Sequence, residues 1–225
     1  MKNKKYGEIT ASIMCSDLFN LGIVLNELET CHTDYFHIDI MDGHFVSNIT
    51  LGIDLCAEIG NRYITKRDIH MLVEHAENFI GRIDLKPNEI FSVHLEACED
   101  IDNIARLVHC KKGLFGIALN PKTEISEAIN YLNCTDVIVL MMIKPGFAGR
   151  KMENGMIEKI AKVRKFLDDN GYYRIKIEVD GNVSVANAKL MREAGGDIFV
   201  AGTSAVFNPQ NSIDDGMSEL RNAIR

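Results

Sequence analysis

Tyr35-Phe36-His37-Ile38-Asp39-Ile40-Met41-Asp42-Gly43-His44 is the stretch on which the fold of this chain turns. Apolar residues alternate with His37 and Asp39 at the two-residue period of a β-strand, in which residues i and i+2 share a face. The spacing predicts a strand over 35–40 with an imidazole and a carboxylate side by side near its end, then a glycine turn. Such a pair can hold a divalent cation while the carboxylate handles a proton. An isolated H-x-D also occurs as a buried hydrogen bond that only orients a core. The pair gains meaning from its surroundings.

Outward from it, short β-branched runs alternate with longer amphipathic ones. Further strands are expected over 8–13, 66–71, 89–95, 115–119, 137–143, 175–179 and 198–201. Helices are expected over 18–29, 52–60, 77–83, 102–109, 125–132, 154–170, 185–194 and 213–224. Strict βα alternation demands parallel strands with right-handed crossovers, and eight such units close into an α/β (β/α)8 TIM barrel. An open doubly wound sheet is the rival architecture. It often carries a glycine-rich turn after the first strand, where this chain has Ser12-Ile13-Met14-Cys15-Ser16-Asp17. With no linker or low-complexity tract, one barrel domain over residues 1–225 is expected.

Composition narrows the function. A hydrophobic content of 46% supports a sizeable core, and a formal net charge of −7 argues against nucleic acid as a partner. A small anionic substrate remains compatible with a locally positive pocket. Cys15, Cys31, Cys56, Cys98, Cys110 and Cys134 form no C-x-x-C pair and read as reduced, mostly buried cytosolic thiols. The basic start Met1-Lys2-Asn3-Lys4-Lys5 leads into Tyr6-Gly7-Glu8 rather than an apolar signal core. No run of eighteen apolar residues exists, so the expectation is a soluble, cytoplasmic protein without a membrane span.

A barrel should gather its reactive groups at the C-terminal ends of its strands. Ser12, His37 with Asp39, His70, His94 with Glu96, Asn120, Met141 and Asp180 all fall at such ends, and Gly202-Thr203-Ser204 follows the last strand. His37, Asp39, His70 and Asp180 make a set of two imidazoles and two carboxylates. That set suits zinc, manganese, iron(II) or cobalt better than magnesium. Taken singly, His70 reads equally as a core histidine and Asp180 as a turn residue before Gly181; only their joint placement favours a metal. Glycine-bearing loops follow the sixth, seventh and eighth strands: Pro145-Gly146-Phe147-Ala148-Gly149, Asp180-Gly181-Asn182 and Ala201-Gly202-Thr203-Ser204. Backbone N–H groups in such loops approach anions closely, which points to a phosphorylated substrate. The methionines read as core packing, and the helix-face charges as solvated.

These stretches, together with Asp68-Ile69-His70, Val93-His94-Leu95-Glu96, Asn120-Pro121-Lys122-Thr123 and Glu178-Val179-Asp180-Gly181, carry a resemblance. The chain resembles the ribulose-phosphate 3-epimerases and the related allulose-6-phosphate 3-epimerases, which are ribulose-phosphate-binding barrels, along nearly its whole length. The resemblance implies one bound divalent metal, zinc foremost, held by His37, Asp39, His70 and Asp180, with Asp39 and Asp180 as the acid/base pair. It implies substrate contacts at Ser12, His70, Met41 and Met141, and phosphate contacts at Gly146, Phe147, Ala148, Gly149, Gly181, Asn182, Gly202 and Thr203. It also implies a homo-oligomer acting on a ketose phosphate.

The chain departs from the family pattern at several points. His70-Met71-Leu72 stands where H-L-M is common, which moves a methionine to the other strand face; Ala11 and Ser47 replace prolines. Lys144, Arg150 and Asn182 lie around the phosphate loops where relatives usually differ. Met14-Cys15 and Gly202-Thr203-Ser204 look slightly more like the allulose-6-phosphate branch. Two rivals share the barrel: a decarboxylase or lyase, which usually needs a lysine beside the reacting centre, and a non-catalytic sugar-phosphate-binding barrel.

Overall fold

The computed structural model describes residues 6–225, so the basic start at Met1–Lys5 lies outside the described residues. Eight parallel strands close into a barrel in sequence order: β1 (Glu8–Ser12), β2 (Tyr35–Met41), β3 (Lys66–Leu72), β4 (Ile90–His94), β5 (Leu114–Leu119), β6 (Val137–Met141), β7 (Lys176–Asp180) and β8 (Ile198–Ala201). The expected strands are all present, displaced by a residue or two at their ends.

Both faces of each strand are buried, which is why these segments are so apolar. Outward residues such as Phe36, Ile38, Ile69, Phe91, Ile117, Val179 and Phe199 pack under the helices in one continuous core. Inward residues are layered along the barrel axis. Tyr35, Ile90, Val137 and Ile198 form an apolar floor, joined by Ala118, Val139 and Met141. Polar inward groups stand above them: parallel register sets Ser12 beside His37, His37 beside Asp68, Asp39 beside His70, and Met141 beside Asp180. The alternation that sends Ile38 and Ile40 out therefore lifts His37 and Asp39 toward the mouth.

The helices are α1 (Leu21–Thr30), α2 (Ile53–Arg62), α3 (Glu77–Ile80), α4 (Ile101–Cys110), α5 (Met156–Asp169), α6 (Val185–Glu193) and α7 (Ile213–Ala223). In α4, Ile101, Ile104, Ala105 and Val108 make the buried stripe, and the Asp100 side chain caps its first turn. Two expectations need correction. The connection after β5, Ile125–Cys134, is 3-10 rather than α-helical. Its Ile, Ser, Asn and Tyr are modest helix formers, and Ile125 and Ala128 bury at a three-residue spacing. The helix expected over 77–83 stops at Ile80, because Gly81 interrupts it. Among the described residues, no helix is long and apolar enough to cross a membrane. All six cysteines are free, but only Cys56 is fully buried, so the thiols are less enclosed than expected.

Candidate functional site

At the C-terminal mouth, ligand atoms of His37, Asp39, His70 and Asp180 all lie within 4.8 Å of one another. His37 Nε2 stands 3.2 Å from Asp39 Oδ1 and 4.0 Å from Asp180 Oδ2. His70 Nδ1 stands 3.3 Å and 3.6 Å from the same two oxygens. Four ligands held at about 2.0–2.2 Å around one ion are separated by roughly 3.3–3.6 Å along the edges of a tetrahedron. The spacing matches. Moreover, His70 Nδ1 is buried without a hydrogen-bond partner while facing two carboxylates, the arrangement a cation between them would satisfy. The donor set fits a divalent metal.

The two carboxylates differ. Burial would raise Asp39, but the charge of adjacent His37 outweighs it and holds this carboxyl far below the usual range. Burial dominates at Asp180 and lifts it to about 6, with the charge of Asp39 adding to the rise. Of the two, Asp180 keeps its proton to the higher pH. Sign follows for stability: a raised carboxyl stabilises the fold fully below the unfolded value and loses that contribution as pH rises through the folded one. Asp180→Asn removes this titration. In the presence of chelator, the variant should be more stable than the parent at pH 7 to 8. The gap between 3.8 and about 6 corresponds to about 3 kcal/mol. Below pH 4 the difference should vanish. Parallel denaturation curves across that range would contradict the assignment.

Beside this cluster lies a pocket lined by Ser12, Met41, Met141, Gly146, Phe147, Ala148, Gly149, Gly181, Asn182, Gly202 and Thr203, together with Asp39 and Asp180. Every substrate-contact residue expected from sequence lines it except His70, which is fully buried beneath. Ser12 Oγ donates to Asp39 Oδ2 at 2.9 Å, fixing that carboxylate's orientation. Gly181 adopts φ +113°, and a Cβ there would lie 2.6 Å from Ile143 Cγ1, so only glycine fits this turn. Leu72 points inward with Met41 and Val46, while Met71 packs outward in the main core. Met71 therefore lies on the strand face opposite His70 and Leu72.

The other departures acquire locations. Asn182 takes the left-handed φ of +52°, which asparagine tolerates. Its side chain accepts from Met152 N and donates to Ser204 Oγ, tying the loops after β6, β7 and β8 together. Lys144 and Arg150 do not line the pocket. They line an adjoining cleft with His44, Asn120 and Lys122, across Pro145 and Phe147.

Sequence reasoning gave no role to Asp68 and Glu178. Asp68 Oδ2 lies 2.6 Å from His37 Nδ1 and also accepts from Thr10 Oγ1 at 3.0 Å. Burial, reinforced by the charge of Asp68, pushes Glu178 well above the ordinary carboxyl range. The signal was available: Asp68 precedes His70, and Glu178 precedes Asp180, by the two residues that keep a strand side chain inward.

Fold and site together define a (β/α)8 barrel with a candidate divalent-metal centre at its mouth beside a glycine-lined pocket. Residues 8–207 match the model of the ribulose-phosphate 3 epimerase family, and the chain belongs to that family. It is 33% identical over 214 residues to the ribulose-phosphate 3-epimerase of Bacillus subtilis, covering 95% of this chain and 98% of that one. To the enzyme of the same name from Serratia marcescens it is 36% identical over 203 residues, covering 88% and 94%. These relatives place it among the carbohydrate epimerases, which are isomerases. Solved structures of lower identity share the barrel. The 3-hexulose-6-phosphate synthase of Salmonella typhimurium aligns with TM-score 0.63 at 14% identity, covering 96% of this chain and 97% of that one. The N-(5'-phosphoribosyl)anthranilate isomerase of Pyrococcus furiosus aligns with TM-score 0.63 at 12% identity, covering 97% and 98%.

Proposed function

We propose that this protein inverts carbon 3 of a ketose phosphate by proton transfer between two aspartates, with ribulose 5-phosphate and xylulose 5-phosphate as the interconverted pair. The observation that carries this reading is the convergence of Asp39 from β2 and Asp180 from β7 on one buried cluster with opposite proton affinities. One carboxylate removes the proton on carbon 3, and the electron pair moves into the neighbouring carbonyl to give an enediolate. The other carboxylic acid returns a proton to carbon 3 from the opposite face, and the pair exchanges states for the reverse turnover. His37, Asp39, His70 and Asp180 would hold a divalent metal, which would supply Lewis acidity toward the developing negative charge. Zinc leads the candidates, with iron(II), manganese and cobalt after it. Met41 and Met141 give the pocket polarisable walls that donate no proton, and Ser12 orients Asp39. Backbone amides around Gly146–Gly149, Gly181 and Gly202 anchor the phosphate.

A six-carbon substrate, allulose 6-phosphate, is the second reading, because Met14 and Cys15 line the same pocket. A lyase is disfavoured: among the described residues no lysine lines the pocket, and Lys144 faces the adjoining cleft. One barrel domain carries the whole reaction. Six free thiols support a cytoplasmic setting, and the exposed apolar side chains of Leu18, Phe19 and Ile23 support a homo-oligomer.

Incubation of metal-loaded protein with each ketose phosphate in deuterated water is the test. The expected product is the carbon-3 epimer, labelled at that carbon and without carbon loss, and chelation should abolish its formation. The pentose phosphate should give the higher specificity constant. Carbon loss, or no label with either substrate, would overturn the proposal.

A further inference from the structure

Val93-His94-Leu95-Glu96 and Asn120-Pro121-Lys122-Thr123 stand out in the sequence, yet neither stretch supplies a ligand or an acid/base group in the site above. The side chains of His94, Glu96 and Thr123 and the backbone N–H of Asn120 form a continuous hydrogen-bonded line that ends on a proposed metal ligand. His70 Nε2 lies 3.0 Å from His94 Nε2, and His94 Nδ1 lies 3.3 Å from Glu96 Oε2. The other oxygen of Glu96 accepts from the backbone N–H of Asn120 at 2.9 Å and from the hydroxyl of Thr123. Both histidines are fully enclosed, at 0% and 1% exposure, so water does not replace the contact between their rings.

With both imidazoles neutral, the donor and acceptor roles along this line follow from Glu96. An ionised carboxylate only accepts, and the Asn120 and Thr123 donors hold Glu96 in that role. His94 must then present Nδ1–H to Glu96, which leaves its Nε2 as a lone pair. Of the two facing Nε2 atoms one must donate, so the proton between them belongs to His70. That leaves His70 Nδ1 bare, and it is the buried, unpartnered atom 3.3 Å and 3.6 Å from Asp39 and Asp180.

The loop that supplies Asn120 and Thr123 is itself pinned. Lys159 of α5, only 7% exposed, spends its ammonium on three carbonyls: Asn120 O at 2.9 Å, Pro121 O at 3.0 Å and Thr123 O at 2.6 Å.

We infer that His94 and Glu96 are positioning residues that lock His70 in the tautomer whose Nδ1 faces the metal cluster, with the Asn120–Thr123 loop and Lys159 holding Glu96 in place. The inference rests on the proposed metal site for its functional consequence, but the tautomer itself is a property of the protein alone. Outer partners of ligating histidines typically contribute 10- to 100-fold to metal affinity. Glu96→Gln is informative because an amide can donate to His94 Nδ1. It permits the reversed line, in which His94 donates to His70 and Nδ1 of His70 carries the proton.

The test uses the full chain. Ring-15N spectra of the chelator-treated protein should show His70 protonated at Nε2 and bare at Nδ1, and Glu96→Gln should convert part of that signal to the other tautomer. Cobalt(II) affinity, read by competition with a chelator, should fall about 10- to 100-fold in Glu96→Gln and in His94→Phe, with circular dichroism unchanged. His94→Gln spaces an acceptor and a donor much as the imidazole does and should restore most of the affinity. Should His94→Phe unfold, the Glu96→Gln and His94→Gln arms still decide. A parent His70 protonated at Nδ1, or unchanged cobalt affinity in both Glu96→Gln and His94→Phe, would overturn the inference. A parent protein with the predicted tautomer that binds no cobalt would instead overturn the metal reading alone.

Discussion

Asp39→Asn and Asp180→Asn should each lower epimerisation by about 100- to 10,000-fold, the range in which positioned proton transfer contributes to rate. An amide neither removes nor delivers the proton at carbon 3, while its shape preserves much of the surrounding packing. Asp39 would keep a partial role as an oxygen acceptor for Ser12, whose hydroxyl now donates to Oδ2. The two variants should not fail alike. If the aspartates address opposite faces of the substrate, each variant retains the base for one epimer only. Asp180→Asn should then exchange the carbon-3 hydrogen of one ketose phosphate with solvent without inverting it, and Asp39→Asn should do so for the other. Both residues also belong to the donor cluster, so metal content must be measured alongside. Near-normal inversion by either metal-loaded variant would refute the two-aspartate mechanism. Equal exchange of both epimers by one variant would refute the assignment of faces.

How much of this was legible beforehand depended on which face of a strand a residue occupied. β2 announced itself because its inward residues, His37 and Asp39, are polar while Phe36, Ile38 and Ile40 are apolar, so the two-residue period survives in the sequence. Placement at the C-terminal ends of strands brought out the whole donor cluster, and the glycine-bearing loops the pocket residues around Gly146, Gly181 and Gly202. β6 offers no such contrast: Val137-Ile138-Val139-Leu140-Met141 is apolar on both faces, and its limits were set only by neighbouring turns.

Partnerships were less readable than positions. Register across strands pairs His37 with Asp68 and brings His70 to His94, and register is a long-range property that a single strand does not encode. Lys144 and Arg150 lay close to the phosphate loop in sequence, yet Pro145 and Phe147 turn them into the next cleft. The 3-10 connection after β5 failed for a different reason. Apolar residues at three- and four-residue intervals suit either helix type, and local propensity decided against the α form.

Arg67 is the charge that sequence reading passed over, and its removal should give the largest stability loss predicted for this barrel. It is the second residue of β3, at 1% exposure, at the N-terminal end far from the mouth. Nε donates to Glu89 Oε1 at 2.7 Å and a terminal nitrogen to Glu89 Oε2 at 2.6 Å, a bidentate pair; the other nitrogen reaches Cys56 O at 2.9 Å. A Cβ on Gly60 would lie 2.4 Å from Arg67 Cζ, so α2 keeps a glycine there to admit the guanidinium. Arg67→Met preserves the apolar stem but strands Glu89, itself 2% exposed, without a counter-charge. Breaking one partner of such a buried pair costs about 3–5 kcal/mol, whereas replacing both by apolar groups is often close to neutral. Urea denaturation of Arg67→Met should show that loss, and Arg67→Met with Glu89→Leu should recover more than half of it. Turnover per folded molecule should be unchanged, because neither residue touches the pocket. A loss under about 1 kcal/mol for Arg67→Met would mean that the guanidinium is not holding a buried charge. A strictly additive double variant would mean that the cost lies in packing around Gly60 and Cys56 rather than in the ion pair.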